Sequence, residues 1–163
     1  MSTNPETTWL SQDAYDRLAG ELEALIANRP AMAVEINARR EEGDLRENGG
    51  YHAAREEQGK AEARIRYLQE FLRTAEVGEA KSADAVTAGS VVTIYFDDDT
   101  SDTETFLLGS REIAATTDLT VYSPESAVGR AILGARTGDT VSYTAPSGAE
   151  IKVTVVSYEP FAG

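Results

Sequence analysis

The chain has 163 residues, 41% of them apolar and 26% charged, which suits one ordinary domain or two small ones and argues against a disordered chain. Its net charge of −13 would repel free duplex nucleic acid, and the absence of cysteine excludes a disulfide framework, a thiolate metal site and a cysteine nucleophile. No basic and apolar leader opens the sequence, and no apolar run approaches the roughly 20 residues that span a bilayer, so a cytoplasmic protein without a membrane partner is expected.

Acidity is spread over both halves, at −6 for residues 1–80 and −7 for residues 81–163, but seven of the fifteen basic residues lie between Arg39 and Arg66. Any nucleic-acid contact should therefore be local and in the first half, and the main partner should be a protein.

The first half reads as helix. Ser11 is a suitable N-cap, with Asp13 placed to complement the helix dipole. Leu18, Leu22, Leu25, Arg29, Met32 and Ile36 then follow at alternating spacings of four and three. After a glycine-rich break, Tyr51, Ala54, Gln58, Ala61, Ile65, Leu68 and Leu72 repeat that pattern. Two matched heptad seams joined by a short link predict an antiparallel helical hairpin over residues 1–78. Leucine and isoleucine gather toward its base and little apolar area is expected near its tip, while Pro30 should kink the first arm. A long, thin projection with no packing purpose suggests a role that depends on reach.

A small, polar linker is expected over 79–85. From about Val86 the signals change to strand: Val91–Phe96, Thr103–Leu108, Leu119–Tyr122, Thr140–Thr144 and Ile151–Tyr158, with a short helix from Ser126 to Leu133. The fold class is α+β, with a mainly antiparallel sheet and one short helix in a domain over 86–163. The run Asp97-Asp98-Asp99 lacks the alternate spacing and terminal glutamate of a calcium loop and reads as a hairpin turn.

The chemistry concentrates in the link between the helices, Glu41-Glu42-Gly43-Asp44-Leu45-Arg46-Glu47-Asn48-Gly49-Gly50-Tyr51-His52. Asp44 and Glu47 are three residues apart, so any helical character in the turn points both carboxylates the same way. Such a pair is costly unless a cation or partner compensates it, and Mg²⁺, which takes hard oxygen ligands and often only one or two protein carboxylates, is the fitting cation. Acidic residues in exposed turns are common. However, an exposed Leu45 and three glycines are an uneconomical way to join two helices.

Gly43-Asp44-Leu45-Arg46-Glu47-Asn48 and Tyr51-His52-Ala53-Ala54-Arg55-Glu56 resemble the tip motif of the GreA/GreB transcript-cleavage factors. Ser123-Pro124, Ser126, Gly129, Ala131, Gly134 and Gly138-Asp139 are similar to the family's second, FKBP-like domain, and the likeness runs from Trp9 to Val156. Scattered arginines, rather than one large basic face, put the chain nearer GreA than GreB.

The resemblance implies a mechanism. The hairpin enters the secondary channel of bacterial RNA polymerase, and Asp44 and Glu47 help hold a second, transient Mg²⁺ shared with the polymerase at the 3′ end of the nascent RNA. The polymerase then cleaves its own backtracked transcript, and the chain alone, a monomer, is no enzyme. It also implies that Arg40 and Arg55 contact RNA, although ion pairs with Glu41, Glu56 or Glu57 are the competing reading. Asn48 and Tyr51 would support the tip, and the second domain, with Ser123 and Pro124, would dock on the channel rim. His52 reads as an exposed helical histidine. The family often has Ala-Glu where this chain has Gly49-Gly50, which should loosen the start of the second arm. Rival readings are a channel-binding inhibitor of the polymerase, which tends to carry a different acidic tip, and a prolyl isomerase or chaperone, which would need an aromatic pocket that the lone Trp9 does not supply.

Overall fold

The structure, a computed structural model, describes residues 8–43, 47–80 and 82–162. In chain order the elements are β1 (Trp9–Leu10), α1 (Gln12–Ala27), α2 (Arg29–Arg40), α3 (Gly49–Thr74), β2 (Glu76–Val77), β3 (Ser90–Phe96), β4 (Thr103–Leu108), a 3₁₀ helix (Arg111–Thr116), β5 (Thr120–Tyr122), α4 (Ala127–Ile132), β6 (Thr140–Thr144) and β7 (Glu150–Pro160). They form two compact units: residues 16–74, and the N-terminal residues through Tyr15 together with everything from Ala75 onward. Among the described residues no helix is long and apolar enough to cross a membrane.

The 16–74 unit is the expected antiparallel helical hairpin. Leu18, Ile36, Ile65 and Leu68 are buried and Leu22, Leu25, Met32, Tyr51, Ala54, Gln58, Ala61 and Leu72 are half-buried, so the heptad positions are the seam. Arg29 is the exception. Its side chain stays 46% exposed, and its guanidinium grips Glu62 of α3 through two hydrogen bonds of 2.8 and 2.9 Å. Arg64 of α3 likewise grips Glu21 of α1 at 2.7 and 3.0 Å. Charged rungs thus flank the seam both beside its buried base, at Arg64–Glu21, and where its apolar content is thin, at Arg29–Glu62. The end near the link is less bare than expected, since Ile36 is only 4% exposed.

Pro30 acts as the sequence predicts. It lacks the N–H that would bond the carbonyl of Ile26, and the first arm is split at Asn28 into α1 and α2. Asn28 keeps helical dihedrals of −83° and −8°, and its amide still bonds Ala24 at 3.0 Å, so the break is local and the seam runs through it.

The other unit is built on a five-stranded sheet of order β5-β4-β3-β7-β6. All its pairs are antiparallel except β4 with β5, whose parallel pairing is reached by a crossover carrying the 3₁₀ helix. That helix is capped by Ser110 Oγ, which accepts from the Glu112 amide at 3.2 Å. β7 carries a bulge: Thr93 faces Ser157 and Ile94 faces Val155, leaving Val156 as the extra, exposed residue. One face of the sheet presents Val92, Ile94, Phe106, Leu108, Val153 and Val155 to Val128 and Ile132 of α4, forming the main core. Tyr122, Tyr143 and Tyr158 pack half-buried at its margin. In the turn after β3, Asp97 adopts a φ of 51° and the Asp99 carboxylate binds the Ser101 amide, confirming a hairpin turn.

A feature absent from the sequence reading is the parallel pair β1–β2. The Glu76 amide bonds the Thr8 carbonyl at 2.9 Å, and Trp9 Nε1 donates to the Gly78 carbonyl at 3.2 Å. Trp9 packs edge-on to Phe161 with ring centroids 6.1 Å apart, and its ring lies against Gly89 and Gly109. The only Trp of the chain is a packing residue.

Two consequences can be measured. A Cβ on Gly129 would sit 2.1 Å from the Ser123 carbonyl oxygen, so Gly129→Ala should cost about 3 kcal/mol in urea unfolding of the sheet-containing unit. The Arg64 hydrogen bond, aided by the charges of Arg64 and Arg17 and opposed by burial, holds the Glu21 carboxyl below its ordinary value of 4.5. Because the folded value is the lower one, the associated stability is present above 4.5 and is lost as the pH falls through the folded value. The helical signal's urea midpoint should therefore drop less between about pH 6 and about pH 3 in Arg64→Gln than in the unsubstituted chain, although the pair is worth no more than about 1 kcal/mol at this exposure.

Candidate functional site

The link between α2 and α3 is shaped by how each helix ends. Arg39 and Arg40 close α2, where cations complement the helix dipole. Glu41 keeps helical dihedrals, the Glu42 amide bonds the Arg39 carbonyl at 3.2 Å, and Gly43 turns the chain with a φ of 152°, open to glycine. Asp44, with Leu45 and Arg46, lies outside the described residues.

On the far side, Glu47 is exposed, and among the described residues no side chain engages its carboxylate. Asn48 then begins α3. Its carbonyl accepts the His52 amide at 3.1 Å, and its side-chain Oδ1 accepts the Tyr51 amide at 3.0 Å, so it is the N-cap. Its other side-chain atom, Nδ2, donates to the carbonyl of Arg39 in the last turn of α2. One asparagine joins the end of one helix to the start of the other.

The remaining sequence-predicted residues divide. The Arg40 guanidinium lies over the Tyr51 ring at 5.9 Å, and the edge of His52 meets that ring at 5.5 Å. Arg40 and His52 thus both meet the Tyr51 ring, Asn48 caps the Tyr51 amide, and Glu47 adjoins this cluster through its chain bond to Asn48. Arg55 is exposed and donates to Gln58 Oε1 at 3.2 Å, and the competing ion pairs with Glu56 or Glu57 are absent among the described residues; those two glutamates lie 3.7 and 3.6 Å from Lys60. His52 is exposed, as expected.

Ser123 and Pro124 belong to the other unit. There the Ser123 carbonyl accepts the Ser126 amide and hydroxyl at 3.0 and 2.6 Å, and Ser126 Oγ caps α4 by accepting the Gly129 amide at 3.1 Å. The preceding Tyr122 hydroxyl donates to Glu104, which with burial raises its pKa to about 12.

Arg39 is the residue that sequence reasoning passed over. Its side chain reaches Glu42 at 3.4 Å and Glu35 at 3.8 Å, and its stem crosses the start of α3. A Cβ on Gly50 would lie 3.2 Å from Arg39 Cδ. The glycine that departs from the family pattern makes room for this crossing, beside a groove of about 210 Å³ floored by Met32, Ala53 and Ala54. The signal was available in the missing side chain at Gly50, but only with the facing helix in place.

The N-terminal domain model of the transcription elongation factors matches residues 8–77, and the C-terminal model of GreA/GreB matches residues 81–160. The chain belongs to the GreA/GreB family of transcription elongation factors. It is similar at 59% identity to the transcription elongation factor GreA of Mycolicibacterium vanbaalenii over 163 residues, covering 99% of each chain. It is similar at 58% to GreA of Rhodococcus erythropolis and at 56% to GreA of Mycobacterium tuberculosis, with 98% of each chain covered in both cases. Among solved structures, GreA factor homolog 1 (Gfh1) of Thermus thermophilus is similar at 27% identity, with 94% of this chain and 99% of that chain covered and a TM-score of 0.43. The tip cluster of this GreA/GreB family member thus sits within the N-terminal match, and Ser123 and Pro124 sit within the C-terminal one.

The two glycines at the start of α3 make separable predictions. Gly49 has open space around its missing Cβ, so Gly49→Ala should stabilise the hairpin by about 0.5–1 kcal/mol in thermal melting. Gly50→Ala should gain less, because the new methyl must push the Arg39 stem aside.

Proposed function

We propose that the chain enters the secondary channel of bacterial RNA polymerase and stimulates the polymerase's own cleavage of backtracked RNA, having no nuclease activity alone. The observation that carries this reading is Glu47, a carboxylate exposed beside the clamp that joins α2 to α3, in a segment that matches the family tip motif. A carboxylate presented this way is a hard oxygen ligand of the kind magnesium accepts, one or two per ion with water completing the shell. Asp44 is its partner by sequence. Magnesium, when bound there beside the ion the polymerase holds, supplies two-metal stabilisation of the attacking and leaving oxygens of a phosphodiester.

The chain's own residues orient this chemistry. Glu47 is a ligand, Asn48 and Tyr51 hold the start of α3, and Arg40 and Arg55 offer cations to the phosphates near the RNA 3′ end. Arg40 is held over Tyr51 and Arg55 is exposed, so neither is locked into an ion pair with a neighbouring glutamate among the described residues. The second domain, through Ser123 and Pro124, docks on the channel rim. The protein works as a cytoplasmic monomer.

The test uses purified polymerase stalled in a backtracked state. Adding this protein with Mg²⁺ should release short 3′-terminal RNA fragments. Asp44→Asn and Glu47→Gln should each abolish release while still displacing another channel-binding protein. Cleavage at the normal rate by either variant would remove its carboxylate from the mechanism.

A further inference from the structure

The two hydrogen-bonding ends of Asn48 serve different helices. Oδ1 accepts the Tyr51 amide and caps α3. Nδ2 donates to the Arg39 carbonyl in the last turn of α2, which also accepts the Glu42 amide just past the end of that helix. Capping alone would not require asparagine, since aspartate or serine caps a helix about as well. Serine can also donate, but only from the same hydroxyl oxygen that caps, whereas asparagine alone among the good caps carries its donor on a separate atom that can reach a second helix while Oδ1 caps the first. The neighbouring Gly50 leaves space for the Arg39 stem at this crossing.

We propose that Asn48 is a positioning residue for Glu47, and that it acts through its donor end by locking the last turn of α2 to the first turn of α3. Glu47 is bonded directly to Asn48 in the chain, so its carboxylate can be no better placed than the junction that carries it. The exposed Glu47 has no tether of its own among the described residues, and the bond to Arg39 fixes its backbone across the helix pair. Without that bond the Oδ1 cap still forms α3, but the start of α3 is free to slide relative to α2. The role in cleavage rests on the function proposed above; the junction itself does not.

Asn48→Asp separates the two ends. It keeps an oxygen for the Tyr51 amide but sets a carboxylate against the Arg39 carbonyl. With spin labels at the exposed Ala38 and Glu56 of the isolated protein, the inter-label distance distribution should be narrow in the unsubstituted chain and broad in Asn48→Asp, while the Tyr51 amide remains protected from hydrogen exchange. In Asn48→Ala the distribution should broaden and that protection should also fall.

On backtracked polymerase, Asn48→Asp should displace a channel competitor as well as the unsubstituted chain does, but cleave about tenfold more slowly. The deficit should shrink as Mg²⁺ is raised, a response that a merely structural defect would not give. An unchanged distance distribution in Asn48→Asp would overturn the junction. An unchanged distribution or an unchanged cleavage rate would overturn the positioning role. If the unsubstituted chain stimulates no cleavage, the proposed function fails, while the distance measurement still decides the junction.

Discussion

Two helices lying side by side share one face, and that face is all the interior the 16–74 unit can have. Every other feature of the hairpin answers to this constraint. With Leu18, Ile36, Ile65 and Leu68 as its buried apolar residues, the unit has few side chains worth about 1.5–3 kcal/mol each on full burial. The rest of the pairing falls to groups that bridge the rim of the seam. Arg29–Glu62 and Arg64–Glu21 are bidentate, which fixes geometry better than a single contact between flexible chains. At the link, where no further turn of seam remains, Asn48 does the joining.

The sheet-bearing unit solves its problem differently, by closing α4 over one face of the sheet and pinning the loop before it. Gly129 lets the helix approach the Ser123 carbonyl, and Ser126 uses one hydroxyl to donate to that carbonyl and to accept from Gly129. The Ser123-Pro124 corner is therefore held from both sides, by the Tyr122 hydroxyl's bond to Glu104 on the strand side and by the α4 cap on the other. A corner held this way suits the docking proposed for it above, because little conformational entropy would be lost on engaging a partner.

Sequence periodicity carried most of this fold. The heptad positions could be read because burial on one helical face imposes a spacing that survives even Arg29 and Pro30, and β6 matched its expected bounds because alternating burial imposes its own, while β4 matched as a short β-prone run whose last three residues are all buried. What escaped were features without a period: the two-residue strands β1 and β2 and the parallel placing of β5, fixed by partners outside their own segments, and the 3₁₀ helix, too short for a period of its own. The site divided likewise. Glu47, Asn48 and Tyr51 could be named because their local order forms a motif, and the N-cap is a local interaction. The bond from Asn48 to Arg39 and the crossing of Arg39 over Gly50 exist only once the helices face each other, so neither can be seen one residue at a time.

The break at Asn28 makes the hairpin's two legs mechanically unlike. α3 runs without interruption for 26 residues, about 39 Å of rod at the usual rise, whereas the opposing leg is jointed where Pro30 leaves the Ile26 carbonyl without its amide. Bending stiffness along this stretch must come from α3, and any flexure of the other leg concentrates at one joint. Arg29 is the first residue beyond that joint, and its fork onto Glu62 fastens the fractured leg to the intact one. The pair is a splint, set on the side of the fracture nearer the tip.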